Sequence, residues 1–286
     1  MTTVPAPGPI GFDTLLSRSW TLFRRNWIVA LPPVIAGVIV ILALMVLVAV
    51  FVVAALAAGG LKRGGSPVPV PFFAGYFGIM LVAIVLYLWG YTAMFGMADA
   101  AWERGTATFG DGSAAFFARA GAVFVAGIGL FGVGIAALIL ALPTLLLALL
   151  AYPVVTMYVM PAVVSGGRGG FEAIGESFQL VRRFPGQSII AFLVLVAIWY
   201  GISFIGGFFV LPLEFSMLPQ GSETVPHAPP IALAVICGLG YLVAMAASMA
   251  YSGFFALALT GLYRDLAPRA NASPLPPAPS GIVPAP

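Results

Sequence analysis

The fold class this sequence predicts is an all-α polytopic membrane protein, with about six transmembrane helices and amphipathic interfacial helices in a repeated helix-plus-two-spans arrangement. Three observations predict it. Charged residues are 7% of the 286-residue chain, hydrophobic residues are 62%, and mean hydropathy is +1.10, whereas a soluble domain is roughly one quarter charged. Six long apolar stretches divide the chain, and every charge falls between them. Two of the charged segments repeat one amphipathic pattern ahead of a span.

The elements follow in chain order. Residues 1–10 read as a flexible N-terminus, 11–267 as the membrane domain, and 268–286 as a disordered tail with seven prolines from Pro268 onward and no apolar periodicity. A span needs about 20 apolar residues to cross hydrocarbon. The windows that supply them lie at about 32–58, 72–98, 120–139, 142–164, 188–212 and 231–261. Between the third and fourth, the turn falls near Ala141-Leu142-Pro143 and carries no charge, so one long bent helix is the alternative to two spans. Ala55-Leu56-Ala57 resembles a cleavage site. The apolar stretch before it is about twice the usual length of a signal-peptide core, so an uncleaved anchor is expected.

Basic residues set the orientation. With six spans, one side holds Arg18, Arg24, Arg25, Arg104, Arg119, Arg168, Arg182, Arg183, Arg264 and Arg269, and the other holds only Lys62 and Arg63. This asymmetry predicts a multi-pass protein with both termini cytoplasmic, and the use of one Lys among twelve basic residues, with abundant Ala, Gly and Pro, suggests a GC-rich bacterial genome and hence the inner membrane. Arginine beside apolar spans suits anionic headgroups better than nucleic acid, so membrane lipids are the expected partners. One cysteine, Cys237, and one histidine, His227, are too few for a metal site or an internal disulfide. No cofactor is expected.

The repeat is GFDTLLSRSWTLFRRNW before the first span and GFEAIGESFQLVRRFPG before the fifth. With one gap they share Gly-Phe, Leu16/Ile174, Ser19/Ser177, Trp20/Phe178, Leu22/Leu180 and the pairs Arg24-Arg25 and Arg182-Arg183. Internal similarity of this kind points to a duplicated unit. At helical spacing Phe12, Leu15, Leu16, Ser19, Leu22 and Phe23 form one side of the first copy. Phe171, Ile174, Phe178 and Val181 form one side of the second. Both are expected to lie in the headgroup plane with Trp20 and Trp27 at the same level. A third copy at 108–121 keeps its aromatics and Arg119 but lacks the double arginine, giving units of about 11–98, 106–164 and 170–262.

The run from Met157 to Arg183 ends a span in Pro161-Ala162-Val163-Val164, turns through glycines, and continues into Glu172-Ala173-Ile174, Ser177-Phe178 and Leu180-Val181-Arg182. With Leu262-Tyr263-Arg264-Asp265-Leu266 closing the last span, it resembles the membrane domain of some bacterial glycerophosphoryl diester phosphodiesterases. It resembles equally the stand-alone six-span bacterial proteins of unknown function related to that domain. The resemblance implies topology. The phosphodiesterase chemistry sits in a soluble barrel with paired histidines and carboxylates around a metal, and no such barrel is present in this sequence.

Other patterns carry simpler readings. Gly127-Ile128-Gly129-Leu130-Phe131-Gly132 matches a dinucleotide fingerprint inside a span, without the strand-turn-helix context that motif requires. Gly240, Ala244, Ser248, Ser252, Ala256 and Thr260 place a small residue at every fourth position, a face for close helix packing within the chain or in a dimer. Ser165 to Gly170 resembles a phosphate-cradling loop but lacks the Gly-Lys-Ser/Thr order, so a flexible turn is expected. Asp99 with Glu103, and Glu172 with Glu176, suit helix ends and arginine pairing better than acid-base chemistry. Glu214, Glu223 and His227 are too sparse for a metal. The spans hold no ionisable residue deep in the bilayer, which argues against proton-coupled transport. The expected function is a non-catalytic scaffold or partner-binding component that assembles with itself as a homo-oligomer or with another membrane protein. The alternative is a lipid or amphiphile transporter whose Arg24, Arg25, Arg182 and Arg183 engage phospholipid headgroups.

Overall fold

The computed structural model describes residues 11–57, 70–144, 146–216 and 231–272. Among these residues all regular structure is helical. The elements are α1 (Phe12–Arg25), a 3-10 turn (Trp27–Ala30), α2 (Leu31–Ala57), α3 (Val70–Arg104), α4 (Phe109–Ala141), α5 (Leu147–Thr156), α6 (Val159–Val164), α7 (Gly170–Arg183), α8 (Pro185–Ser216) and α9 (Ile231–Ala272). Six segments are long and apolar enough to cross a membrane: Trp27–Val53, Phe73–Arg104, Phe109–Ala141, Leu147–Val164, Pro185–Phe209 and Ile231–Ala270. The chain is an all-α polytopic membrane protein.

Three hairpins build it. α2 pairs with α3, α4 with α5, and α8 with α9, while α3 also packs on α4 and α9. The hairpins pack together at the end that carries the arginines. Met94, Met97, Val123, Leu180, Leu257 and Leu266 are fully buried there. Toward the opposite end Val46, Phe77, Phe204 and Leu242 stay exposed. In lipid, exposed apolar side chains carry no penalty, and association depends on close packing instead. Small residues supply that packing. A side chain on Gly112 would meet the Ala93 carbonyl at 2.7 Å, and one on Gly261 would run into Trp102.

α4 and α5 are separate helices. The chain turns at Leu142–Thr144 and Leu146, and the Tyr152 hydroxyl donates to the Leu130 carbonyl at 3.1 Å, so α5 folds back along α4. Residues 120–164 are therefore two spans and not one bent helix. The second of them is itself interrupted. Prolines 153 and 161 lack the N–H that would bond the carbonyls of Leu149 and Met157, and the helix breaks between Thr156 and Val159.

Two expectations are corrected. The third copy of the amphipathic helix does not exist as a separate element, because residues 109–121 are the first turns of α4. The physical difference is a stop. α1 ends at Asn26 (φ −128°, ψ 46°) and α7 at Phe184 (φ −126°, ψ 57°), and a residue before proline, as Phe184 is, avoids helical backbone. Nothing equivalent follows Arg119. Residues 268–272 are not part of a disordered tail, since α9 continues to Ala272. Arg269 pairs with Asp265 one turn back at 2.5 Å, and Arg183 donates to the Ala270 carbonyl, which hold this last turn in place. The rest of the expected tail, residues 273–286, lies outside the described residues.

Candidate functional site

The repeated helices occupy the arginine-bearing end, and their sequences explain their matching form. Both are 14 residues long, both begin after a glycine, and both end on their arginine pair. Counted from their first residues, Leu15 and Ala173, Ser19 and Ser177, and Leu22 and Leu180 are equivalent, and all six are buried. Trp20 and Phe178 are equivalent and exposed, at 53% and 52%. The structural alignment needs no gap, because Phe12 matches Gly170, not Phe171.

α1 buries the face its pattern marks. Phe23 and Ala30 pack on Gly253 of α9, and the Trp20 ring lies 6.1 Å from that of Phe254. α7 buries a different one. Gly170, Ala173, Ser177 and Leu180 turn inward, while Phe171 and Phe178 remain exposed. The reason is backbone approach. A Cβ on Gly170 would lie 2.5 Å from the Ala126 nitrogen and 2.7 Å from the Ala122 carbonyl oxygen, so α7 sits directly against α4 through its small residues. The aromatics are left to the surroundings of the helix.

Most charges at this end are spent on structure. Arg264 donates to Glu103 at 2.7 Å and lies 3.4 Å from Asp99. Arg104 pairs with Asp111 at 2.7 Å, and Asp111 with Thr108 closes a reciprocal cap at the start of α4. Arg168 pairs with Glu176 at 2.5 Å, and this hydrogen-bonded carboxylate pushes the guanidinium pKa up from its ordinary high value. Tyr263 donates to the other oxygen of Glu176 at 2.8 Å. Glu172 accepts from the Gly169 N–H at 3.1 Å. Every carboxylate weighed as an acid-base candidate (Asp99, Glu103, Glu172, Glu176) thus has a structural partner. The glycine turn is occupied in the same way. Gly167 takes φ +66° and its carbonyl accepts from Arg119 at 3.2 Å, while Gly166 is pressed against the Tyr263 hydroxyl. Arg18 lies over the Trp102 ring at 4.6 Å, a cation–π contact.

Three arginines stand apart. Arg24, Arg25 and Arg182 are exposed and have no hydrogen-bond or ion-pair partner among the described residues. Arg183, grouped with them by sequence, is half-buried and engaged at Ala270. Beside the unpaired arginines the helices expose Trp20, Trp27 (58%), Phe171 and Phe178. Guanidinium groups next to exposed indole and phenyl rings match the headgroup level of a bilayer, where cations meet phosphate and aromatic rings rest.

The remaining sequence candidates fall elsewhere. Gly240 packs on Phe209 and Ala244 near Gly206, both of α8, and Ala256 and Thr260 are fully buried. Ser248 and Ser252 are half-buried, with the Ser252 hydroxyl donating to the Met249 carbonyl at 2.7 Å. The small-residue face of the last span is therefore used largely inside the chain. Gly129 of the fingerprint decoy packs against Ile174 of α7 in mid-helix. Lys62, Arg63, Glu223 and His227, with the side chain of Glu214, lie outside the described residues. Sequence reasoning missed Asn26. Its amide donates to the carbonyls of Leu22 (3.1 Å) and Gly105 (3.0 Å), and its oxygen accepts from the Ala107 N–H (2.8 Å), tying α1 to the α3–α4 turn. The signal was a polar residue directly after the arginine pair.

Comparison with family models, curated proteins and solved structures returns no match.

Proposed function

We propose that this chain is a non-catalytic protein of the bacterial inner membrane, both termini cytoplasmic, that holds anionic lipid headgroups through Arg24, Arg25 and Arg182. It would belong with the stand-alone six-span proteins that its Met157–Arg183 run resembles. The observation that carries the reading is the unpaired state of these three guanidinium groups beside exposed Trp20, Trp27, Phe171 and Phe178, at an end where the other described charges are largely paired. Phosphate is the anion that such a surface meets at a membrane. The assembly role expected from the sequence has less to rest on, since the small-residue face it would use is engaged with α8 and the core.

The test is native mass spectrometry of the protein in nanodiscs of mixed anionic and zwitterionic phospholipid. Anionic lipid should be retained selectively, and Arg24→Gln/Arg25→Gln/Arg182→Gln should remove most of that selectivity. Arg183→Gln should change it less. Equal retention of both lipid types, unaffected by the triple variant, would overturn the reading.

A further inference from the structure

A cavity of about 250 Å³ lies where the three hairpins meet. α3 contributes Tyr91, α4 Leu130, α5 Tyr152 and Thr156, α8 Val196 and α9 Phe255. Phe192 to Val196, its α8 wall, lie about 10 to 17 Å along the helix from Pro185 at 1.5 Å per residue. Every helix that lines it does so from within a segment apolar enough to span the membrane. The cavity is therefore at hydrocarbon depth, beyond the headgroup level of the arginines. α5 and α8 touch only sparsely, and both line it. A chain entering from lipid would meet the least packing along that seam.

The walls define the ligand. No lining residue is ionisable at neutral pH, and Tyr152 and Thr156 spend their hydroxyls on the carbonyls of Leu130 and Tyr152. Tyr91 adds one neutral hydroxyl that has no hydrogen-bond partner among the described residues, and a site without a charged anchor in an otherwise apolar lining selects for hydrocarbon. Its size points the same way, because an apolar cavity of roughly 150 Å³ already holds a benzene molecule, whereas sites for drug-sized ligands run from about 300 Å³ upward. The proline-broken fourth span creates the space. Pro153 is itself a lining residue, and the helix interruption after Thr156 lets Met157 and Met160, unbranched and adaptable, form its floor.

We infer that this cavity binds one alkyl chain of a membrane lipid, admitted laterally between α5 and α8. The inference stands on the cavity and does not need the headgroup reading to hold. The test uses the full chain in nanodiscs doped with a phospholipid that carries a photoreactive diazirine in its acyl chain, with cross-links mapped by mass spectrometry. Adducts on Tyr152, Met157 and Phe192 should saturate at low mole fraction of the reactive lipid, while those on outward-facing Phe204 and Phe208 should rise in proportion to it. Val196→Phe and, separately, Leu130→Phe should each lower the saturating adducts at least several-fold and leave the proportional ones unchanged. Saturating adducts should persist in Arg24→Gln/Arg25→Gln/Arg182→Gln, which separates this site from the headgroup surface. Cavity residues that stay unlabelled, or whose labelling tracks that of Phe204 and ignores both filling variants, would overturn it.

Discussion

α1 and α7 are two versions of one helix set into different surroundings. They share length, end geometry and the inward positions of Ser19 and Ser177, but these serines do different things. The Ser177 hydroxyl donates to the Val155 carbonyl at 2.5 Å and accepts from the Tyr158 N–H at 3.2 Å, satisfying two backbone groups freed by the break between α5 and α6. Ser19, equally buried, has no partner for its hydroxyl. Buried backbone at membrane depth is tolerated where a side chain re-satisfies it. The second copy supports a broken span, whereas the first leans on the intact helix α9. One repeated pattern supplied both helices, and their neighbours assigned the work.

The contrast can be broken most sharply at the first helical position. Gly170→Phe places in α7 the residue that α1 carries as Phe12, and it should prevent stable folding, since backbone lies within 2.7 Å of any added Cβ and overpacking costs about 1–3 kcal/mol or more. Phe12→Gly should lower the thermal midpoint far less. Yield and melting of the purified protein in nanodiscs check both.

The two helix ends come next. Asn26→Ala strips the α3–α4 turn of its bonds to Gly105 and Ala107, at about 1–3 kcal/mol for each group left buried without a partner. Asn26→Asp keeps the acceptor for Ala107 and should recover part of the loss in thermal unfolding followed by circular dichroism.

The serines follow. Ser177→Ala should destabilise by about 1–3 kcal/mol through the two groups it orphans, and amide exchange at Tyr158 should quicken. Ser19→Ala removes an unsatisfied hydroxyl and should leave stability unchanged or slightly higher. Equal losses at the two sites would erase the distinction drawn here.

The smallest effect separates the N-termini. Glu172→Gln weakens the charged cap on Gly169 by up to about 1 kcal/mol, whereas Asp13→Asn touches no side-chain cap and should cost only a few tenths. Chemical unfolding of the two variants side by side reads the difference.

Much of this was legible in the residues. The apolar windows place all six spans, and the arginine repeat locates both interfacial helices to the residue that ends them. The inward face of α7 was not legible, because Phe171 and Phe178 look like core by hydropathy. In a bilayer, large apolar side chains are at ease outside, and Gly170 and Ala173 win the inside by letting backbones approach. The different setting of Arg183 among Arg24, Arg25 and Arg182 was hidden for a similar reason. Adjacent arginines on a helix point in different directions, and only the position of α9 shows that Ala270 waits beside one of them.

The sequence by itself determined the class, the spans, the duplicated helix and the asymmetry of charge, since each follows from solvent preference and local backbone chemistry. Tertiary structure alone decided which ends of the hairpins pack, which arginines remain unpaired and where three hairpins leave a cavity. Those outcomes depend on distances between residues far apart in the chain, and hydrocarbon outside the protein resembles hydrocarbon within it, so hydropathy cannot rank one against the other.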